Sequence, residues 1–254
     1  MLAPETHNPL VLASASPRRR ELLSYLGVTF RAVANDAEEQ DHPPPAAVVA
    51  ALPPLRLPLA DHPTLRAWRK ADAACADAPG SVIIGSDTIV VLDDAVLNKP
   101  VDAAHAAAML RRLSGRAHLV YTGLCVLRPA DSIPRRGAGA GGRPPLVDGR
   151  RSIWLDLVAS DVVFEELTED QIAAYVATGE PLDKAGAYGI QGRGGRLVRA
   201  VAGSYTSVVG LPLVQLHRLL AAAGVPGLSD PADGYRRWLT AQGKEPLPCP
   251  PTFP

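Results

Sequence analysis

The chain has 254 residues, 47% of them hydrophobic and 20% charged, a composition that excludes wholesale disorder. Lys+Arg and Asp+Glu both number 26, so no global basic field exists to hold nucleic acid or an anionic membrane. The three cysteines have no C-x-x-C spacing, which argues against a disulfide framework or zinc site and fits a reduced compartment.

The chain order predicts alternating strands and helices. Leu10–Ala13 is a short apolar run suited to a buried strand. The following Ser16-Pro17 reads as an N-cap with Pro at the first helical position, opening a helix that stops at Gly27. Val28–Val33 reads as a second strand. Seven prolines between Asp41 and Pro63 predict a loop or a broken helix, and Thr64–Ala78 a helix. Ser81–Leu92 is a β segment broken by the polar Ser86-Asp87-Thr88, turned at Asp93-Asp94 and continued over Ala95–Leu97. Asp102 caps a helix that runs to Gly115.

Two long strands follow, His118–Leu127 and Ser152–Glu165. The stretch 129–150 between them is rich in Gly, Pro and Arg and predicts a disordered insertion at a hairpin tip. Thr168-Glu169-Asp170-Gln171 is a capping box. Asp183–Gly195 is a Gly-rich loop, Arg196–Ala202 a strand, and Pro212 opens a helix ending near Gly224. The expected class is α/β, a mixed sheet flanked by helices. The expected organisation is one domain over residues 1–225, with a Pro-rich tail over 226–254. No stretch approaches the roughly 20 apolar residues of a membrane span.

Four segments could carry chemistry. Ser14-Ala15-Ser16-Pro17-Arg18-Arg19 places two hydroxyls and two guanidiniums at a helix N-terminus, which suits an anion such as phosphate; the plain alternative is a cap followed by solvated arginines. Asp87 in Gly85-Ser86-Asp87-Thr88 is either a turn residue or a poised carboxylate. Lys99, in Leu97-Asn98-Lys99-Pro100, is either a surface lysine or a partner that offsets developing phosphate charge. Glu38-Glu39-Gln40 is a solvated turn or, beside a triphosphate, a place for metal or water. The glycines of 183–195 let backbone approach a ligand closely, and Gln191 can both donate to and accept from a base edge. There is no G-x-x-x-x-G-K-[ST], H-E-x-x-H or G-x-S-x-G. Of the 26 cations only Lys70, Lys99, Lys184 and Lys244 are lysines. In a chain that uses Arg for generic charge, a compact cation with a tunable pKa stands out.

Taken in order, LVLASASPRRRELLSYLGVTF at 10–30, VIIGSDTIVVLDDAVLNKP at 82–100, and AGAYGIQGRGG with GSYTSVVGLPL at 185–213 resemble the Maf family of nucleoside triphosphate pyrophosphatases. The resemblance implies a mixed sheet with two lobes around a cleft, related to the inosine triphosphatase architecture. It also implies cleavage of a nucleoside triphosphate to monophosphate and pyrophosphate with a divalent cation, Mg²⁺ or Mn²⁺. Asp87 matches the family's general base, Lys99 its catalytic lysine, and Glu39 the acid after the second strand. Ser14, Arg18 and Arg19 match the phosphate-binding segment. Lys70 matches a helix lysine, although Trp68-Arg69-Lys70-Ala71 departs from the usual Arg–Lys spacing; Lys184 has no assigned role. Arg18, Thr88 and Gln191 match positions associated with dTTP and UTP preference. The resemblance further implies a homodimer, and with the composition a cytoplasmic protein without nucleic-acid or membrane partners. Two rival expectations are a regulatory nucleotide binder in division arrest, and nucleic-acid binding through Arg135, Arg136, Arg143, Arg150 and Arg151.

Overall fold

The computed structural model describes residues 9–34, 43–130, 145–149 and 151–243. The strands are β1 (Leu10–Ala13), β2 (Phe30–Val33), β3 (Val82–Leu92), β4 (Ala95–Leu97), β5 (Ala117–Pro129), β6 (Leu146–Asp148), β7 (Arg151–Phe164) and β8 (Val198–Ala202). They form one eight-stranded sheet in the order β2-β1-β3-β5-β7-β6, with β4 beside β3 and β8 beside β7. β1 pairs in parallel with β2 and β3; the other ladders among the described residues are antiparallel. The helices are α1 (Pro17–Ser24), α2 (Ala46–Ala51), α3 (Pro63–Ala73), α4 (Ala103–Leu113), α5 (Glu169–Val176), α6 (Tyr205–Val209), α7 (Leu213–Ala222) and α8 (Pro231–Ala241). No helix among the described residues is long and apolar enough to cross a membrane.

Both faces of the central strands are buried, which is why they read as continuous apolar runs. Alternation sends Leu10, Leu12, Val82, Ile84, Leu124 and Val126 into the larger core. Their neighbours Val11, Ala13, Ile83, Cys125 and Leu127 enter a second core under α3, with Leu65, Ala67, Trp68 and Ala71. The α3 backbone lies directly on the sheet. A Cβ added at Gly85 would stand 1.9 Å from the Ala67 carbonyl oxygen, and one at Gly123 would stand 2.2 Å from the Thr64 nitrogen.

Several expectations hold. Ser16 caps α1, Asp102 caps α4, and the Thr168–Gln171 capping box opens α5. Others need correction. β3 runs unbroken through Ser86-Asp87-Thr88, because a strand needs only backbone ladder bonds and β5 supplies them from Ile83 to Val91. The 129–150 stretch is not irregular throughout: Leu146–Asp148 pairs antiparallel with Arg151–Ile153. The expected insertion otherwise falls on 131–144 and 150, outside the described residues.

The segment after 226 is not simply a Pro-rich tail. Asp230 accepts from the Ala232 and Asp233 amides, and Pro231 sits at the first helical position of α8. α8 then carries Tyr235, Trp238 and Leu239 at helical spacing, and Trp238 is fully buried in the larger core. Residues 244–254 lie outside the described residues.

The α3 contact leaves no room for a methyl group at Gly85. Gly85→Ala must lift α3 off the sheet. The expected cost is about 3 kcal/mol, the upper end of overpacking, or about 6–12 °C in Tm. Thermal unfolding of the variant checks this; an unchanged Tm would show that the helix can shift freely.

Candidate active site

β1 ends at Ala13, opposite Gly85, and β4 joins β3 only at Val90. Among the described residues, Ser86–Ile89 therefore have a ladder partner on the β5 side alone. Beyond the carboxyl end of β1 this leaves a notch in the sheet, the place where open α/β sheets bind ligands. The cleft there has a volume of about 430 Å³, enough for a small ligand. Its lining comes chiefly from Ser14–Arg19 after β1, Asp87, Thr88 and Val90 of β3, and the loop 183–191, with Lys70 and Lys99 added from α3 and the β4–α4 turn, Val120 from β5, and Val208 and Val209 from α6.

Alternation within β3 decides which way each polar residue points. Asp87 shares the face of Ile83 and Gly85, under α3. Lys70 on α3 reaches down to it, with Nζ donating to Oδ1 over 2.7 Å. Both side chains are largely buried, at 7% and 12% exposure. Asp87 and Lys70 both line the cleft. The Lys70 match, which departs from the usual spacing in sequence, thus sits against the carboxylate it would serve. A buried pair of this kind contributes little net stability, since desolvation offsets the attraction.

Ser86 and Thr88 take the opposite face, toward α1 and α6. Arg19 is fixed there by three acceptors. Its Nε donates to the Gly210 carbonyl at 2.9 Å, its Nη2 to Thr88 Oγ1 at 3.2 Å, and its Nη1 to Ser14 Oγ at 3.4 Å. Ser14 Oγ also accepts from the Ser16 amide. Arg18 lines the cleft near Asp183, whose carboxyl stays below the usual range: burial raises it, but the Lys184 hydrogen bond and the charges of Lys184 and Arg18 together prevail. Lys99 is exposed and lines the cleft. Glu39 lies outside the described residues.

The structure adds residues that the sequence reading assigned no role. Lys184 lines the cleft and donates to Asp183 Oδ1 and to the Glu180 carbonyl. With Lys70 and Lys99, three of the four lysines meet in one place. Glu180 organises the loop that carries Gln191. Its carboxylate accepts from the Tyr175 hydroxyl and from the Arg193 and Gly194 amides. Glycine is required facing it, because a Cβ at Gly192 would stand 2.4 Å from Glu180 Oε1. The only available sequence signal was the glycine spacing. Tyr188 forms part of the cleft wall, its ring edge-on to Phe164 at 4.8 Å and its hydroxyl bonded to His118 Nε2 at 2.8 Å.

The described residues contain no cluster of three side chains able to hold a metal. Arg151 of the rival basic set is engaged in an ion pair with Asp72.

A family model for Maf-like proteins matches residues 9–223. The chain belongs to the Maf family. It is 47% identical over 218 residues to the dTTP/UTP pyrophosphatase of Moorella thermoacetica, covering 85% of this chain and 95% of that protein. It is 46% identical over 213 residues to the enzyme of the same name in Escherichia coli O157:H7, covering 84% and 91%. For the Shigella boydii enzyme of that name the identity is 45% over the same length. This Maf chain thus matches its relatives over nearly their whole length.

Burial lowers the His118 pKa from 6.5 to about 4. An unfolded His118 takes up a proton below about pH 6.5, whereas the folded one stays neutral until about 4. Folded stability therefore falls as pH drops through that window and levels off beneath it. The loss attributable to His118 is about 3 kcal/mol. Urea unfolding of wild type and His118→Gln at pH 7 and pH 4 should show the variant losing less by that amount. Equal losses in the two proteins would remove His118 as the source.

Proposed function

We propose that the chain hydrolyses dTTP and UTP to the nucleoside monophosphate and pyrophosphate. The observation that carries this reading is the meeting, in one notch of the sheet, of a lysine-held carboxylate with the Ser14–Arg19 anion segment. The names and near-complete coverage of the relatives support it.

In this reading Asp87 Oδ2 accepts a proton from water as the water oxygen attacks the α-phosphorus. The bond to the bridging α–β oxygen breaks, and pyrophosphate leaves with the electron pair. Lys70 holds the carboxylate in place and keeps its charge compensated. Arg18, Arg19 and Lys99 offset charge on the phosphates, and the Ser14 hydroxyl stands beside them. Gln191 lines the part of the cleft that reads the base, where its amide can hydrogen-bond a pyrimidine edge, and Thr88 shapes the cleft through its bond to Arg19.

The donor set suits a divalent cation carried in on the triphosphate rather than one caged by protein. Mg²⁺ commonly takes one or two carboxylates and completes its shell with phosphate oxygens and water. From the sequence motif, Glu39 would be its protein carboxylate, leaving Asp87 for the proton. When bound, the cation supplies charge neutralisation at the phosphate oxygens. The family resemblance carries the remaining parts of the reading: a homodimer acting in the cytoplasm, with neither nucleic acid nor membrane as partner. The 131–149 stretch holds none of the residues given a role.

A nucleotide panel with pyrophosphate detection is the direct test. dTTP and UTP should be cleaved well above ATP, GTP and 7-methyl-GTP, because a buried polar group left unpaired by the wrong base penalises binding. Binding of dTTP without pyrophosphate release would instead indicate a nucleotide sensor. Asp87→Asn keeps the shape but cannot take the proton. Turnover should fall by about 10²–10⁴ with dTTP binding retained. Near wild-type turnover would exclude Asp87 as the base.

A further inference from the structure

On the α6 side of β3 a chain of hydroxyls has a fixed proton direction. Thr122 on β5 stands directly opposite Thr88 in the ladder. Its Oγ1 donates to the Ser207 carbonyl at 2.8 Å, and a carbonyl can only accept. A hydroxyl has one proton, so Thr122 has none left to give. In the 2.9 Å contact between the two threonines, Thr88 must therefore be the donor. Its own proton is then committed, and Thr88 Oγ1 faces Arg19 as an acceptor, which is what the Arg19 Nη2 contact at 3.2 Å requires. The order is Arg19 N–H to Thr88, Thr88 O–H to Thr122, and Thr122 O–H to Ser207.

A parallel anchor stands one residue earlier on β3. Ser86 Oγ donates to the Gly210 carbonyl at 2.9 Å, and the same carbonyl accepts from Arg19 Nε at 2.9 Å. Gly210 has φ +120°, and a Cβ there would stand 3.3 Å from Arg19 Nε. The α6 corner is thus pinned to the sheet at Ser207 by Thr122 and at Gly210 by Ser86. Thr122, Ser86 and Ser207 are all fully buried and are absent from the cleft lining. They act on a ligand only through what they hold.

We infer that Thr122 is a positioning residue which, by sending its only proton to Ser207, makes Thr88 an obligate acceptor and so locks the Arg19 guanidinium in its phosphate-facing orientation, with Ser86 fixing the second anchor at Gly210. The inference rests on the reading of Arg19 as a phosphate ligand. Its consequence is specific. Without the Thr122 oxygen the Thr88 proton has no fixed acceptor and can swing toward the guanidinium, where two donors oppose each other. Arg19 then loses a preset orientation that binding must supply again, so ground-state affinity for phosphates suffers.

The test uses the full chain and two probes, dTTP and inorganic pyrophosphate. Thr122→Val removes the oxygen while keeping the shape. The KM for dTTP should rise about tenfold with kcat within about twofold, and pyrophosphate affinity by calorimetry should fall by a similar factor. Thr122→Ser keeps the relay and should restore both. In an Arg19→Lys background the Thr122→Val effect on pyrophosphate affinity should vanish, since the coupling runs through the guanidinium. Should Thr122→Val fail to fold, Ser86→Ala tests the same lock at its other anchor, with an expected rise of about threefold in the pyrophosphate dissociation constant. A lowered Tm with pyrophosphate affinity unchanged, or an equal effect in the Arg19→Lys background, would leave Thr122 a packing residue and overturn the inference. If wild type releases no pyrophosphate from dTTP but its pyrophosphate affinity still responds to Thr122→Val as stated, the lock stands and the nucleotide reading falls.

Discussion

A Cβ at Gly85 would stand 1.9 Å from the Ala67 carbonyl oxygen, and one at Gly123 2.2 Å from the Thr64 nitrogen. No side chain fits between α3 and these two strands, and the backbones meet directly. The site depends on that approach. Lys70 lies one helical turn beyond Ala67, and Asp87 lies two residues beyond Gly85 on the same face of β3. A helix raised on ordinary side chains would stand several ångströms higher, roughly the 10 Å spacing of packed layers. The lysine head would then no longer reach the carboxylate at 2.7 Å. Two glycines and the small Ala67 and Ala71 therefore set the height from which Lys70 meets Asp87.

The second constraint is the period of the strand. Successive side chains of β3 leave by opposite faces, so Ser86, Asp87 and Thr88 cannot work as one cluster. Asp87 is served by α3, whereas Ser86 and Thr88 are served by α6 and Arg19. In the middle of a sheet these would be two unrelated environments separated by a strand. They become one site because β1 stops at Ala13 and, among the described residues, no strand pairs with that edge of β3 from Ser86 to Ile89. The short length of β1 is thus as functional as any side chain. It lets a carboxylate on one face and a guanidinium on the other border the same cleft.

The interior strands were legible because burial on both faces leaves an unbroken apolar signal. The caps of α1, α4 and α5 were legible because their chemistry is local. The polar triplet at 86–88 reads as a break for the same reason: it interrupts the apolar run, whereas the ladder needs only backbone. Ser86 and Asp87 are tolerated inside because each finds a partner distant in sequence, Gly210 and Lys70. α6 is five residues long and rich in Ser, Thr and Val, with little helical periodicity to detect. α8 was hidden by Pro, Gly and Arg around three apolar residues, and only the core shows that Trp238 pays for them. Glu180 was invisible for a different reason: it serves backbone amides thirteen and fourteen residues away, and no pattern marks an acceptor for an irregular loop.

The division of labour between the two kinds of cation follows from their geometry. Arg19 offers a rigid planar fork, and its neighbours exploit it: Gly210, Thr88 and Ser14 each take a different nitrogen, so the group is oriented before any ligand arrives. Lysine cannot be held in that way, since its three protons rotate about one bond. It supplies a compact charge wherever its stem can reach, which suits Lys70 against Asp87 and Lys184 against Asp183. A chain that meets nearly all its other charge needs with arginine yet places three of its four lysines around one cleft has separated orientation from neutralisation. The guanidinium is held in one orientation by its three acceptors. The ammonium groups of Lys70 and Lys184 sit against the carboxylates of Asp87 and Asp183.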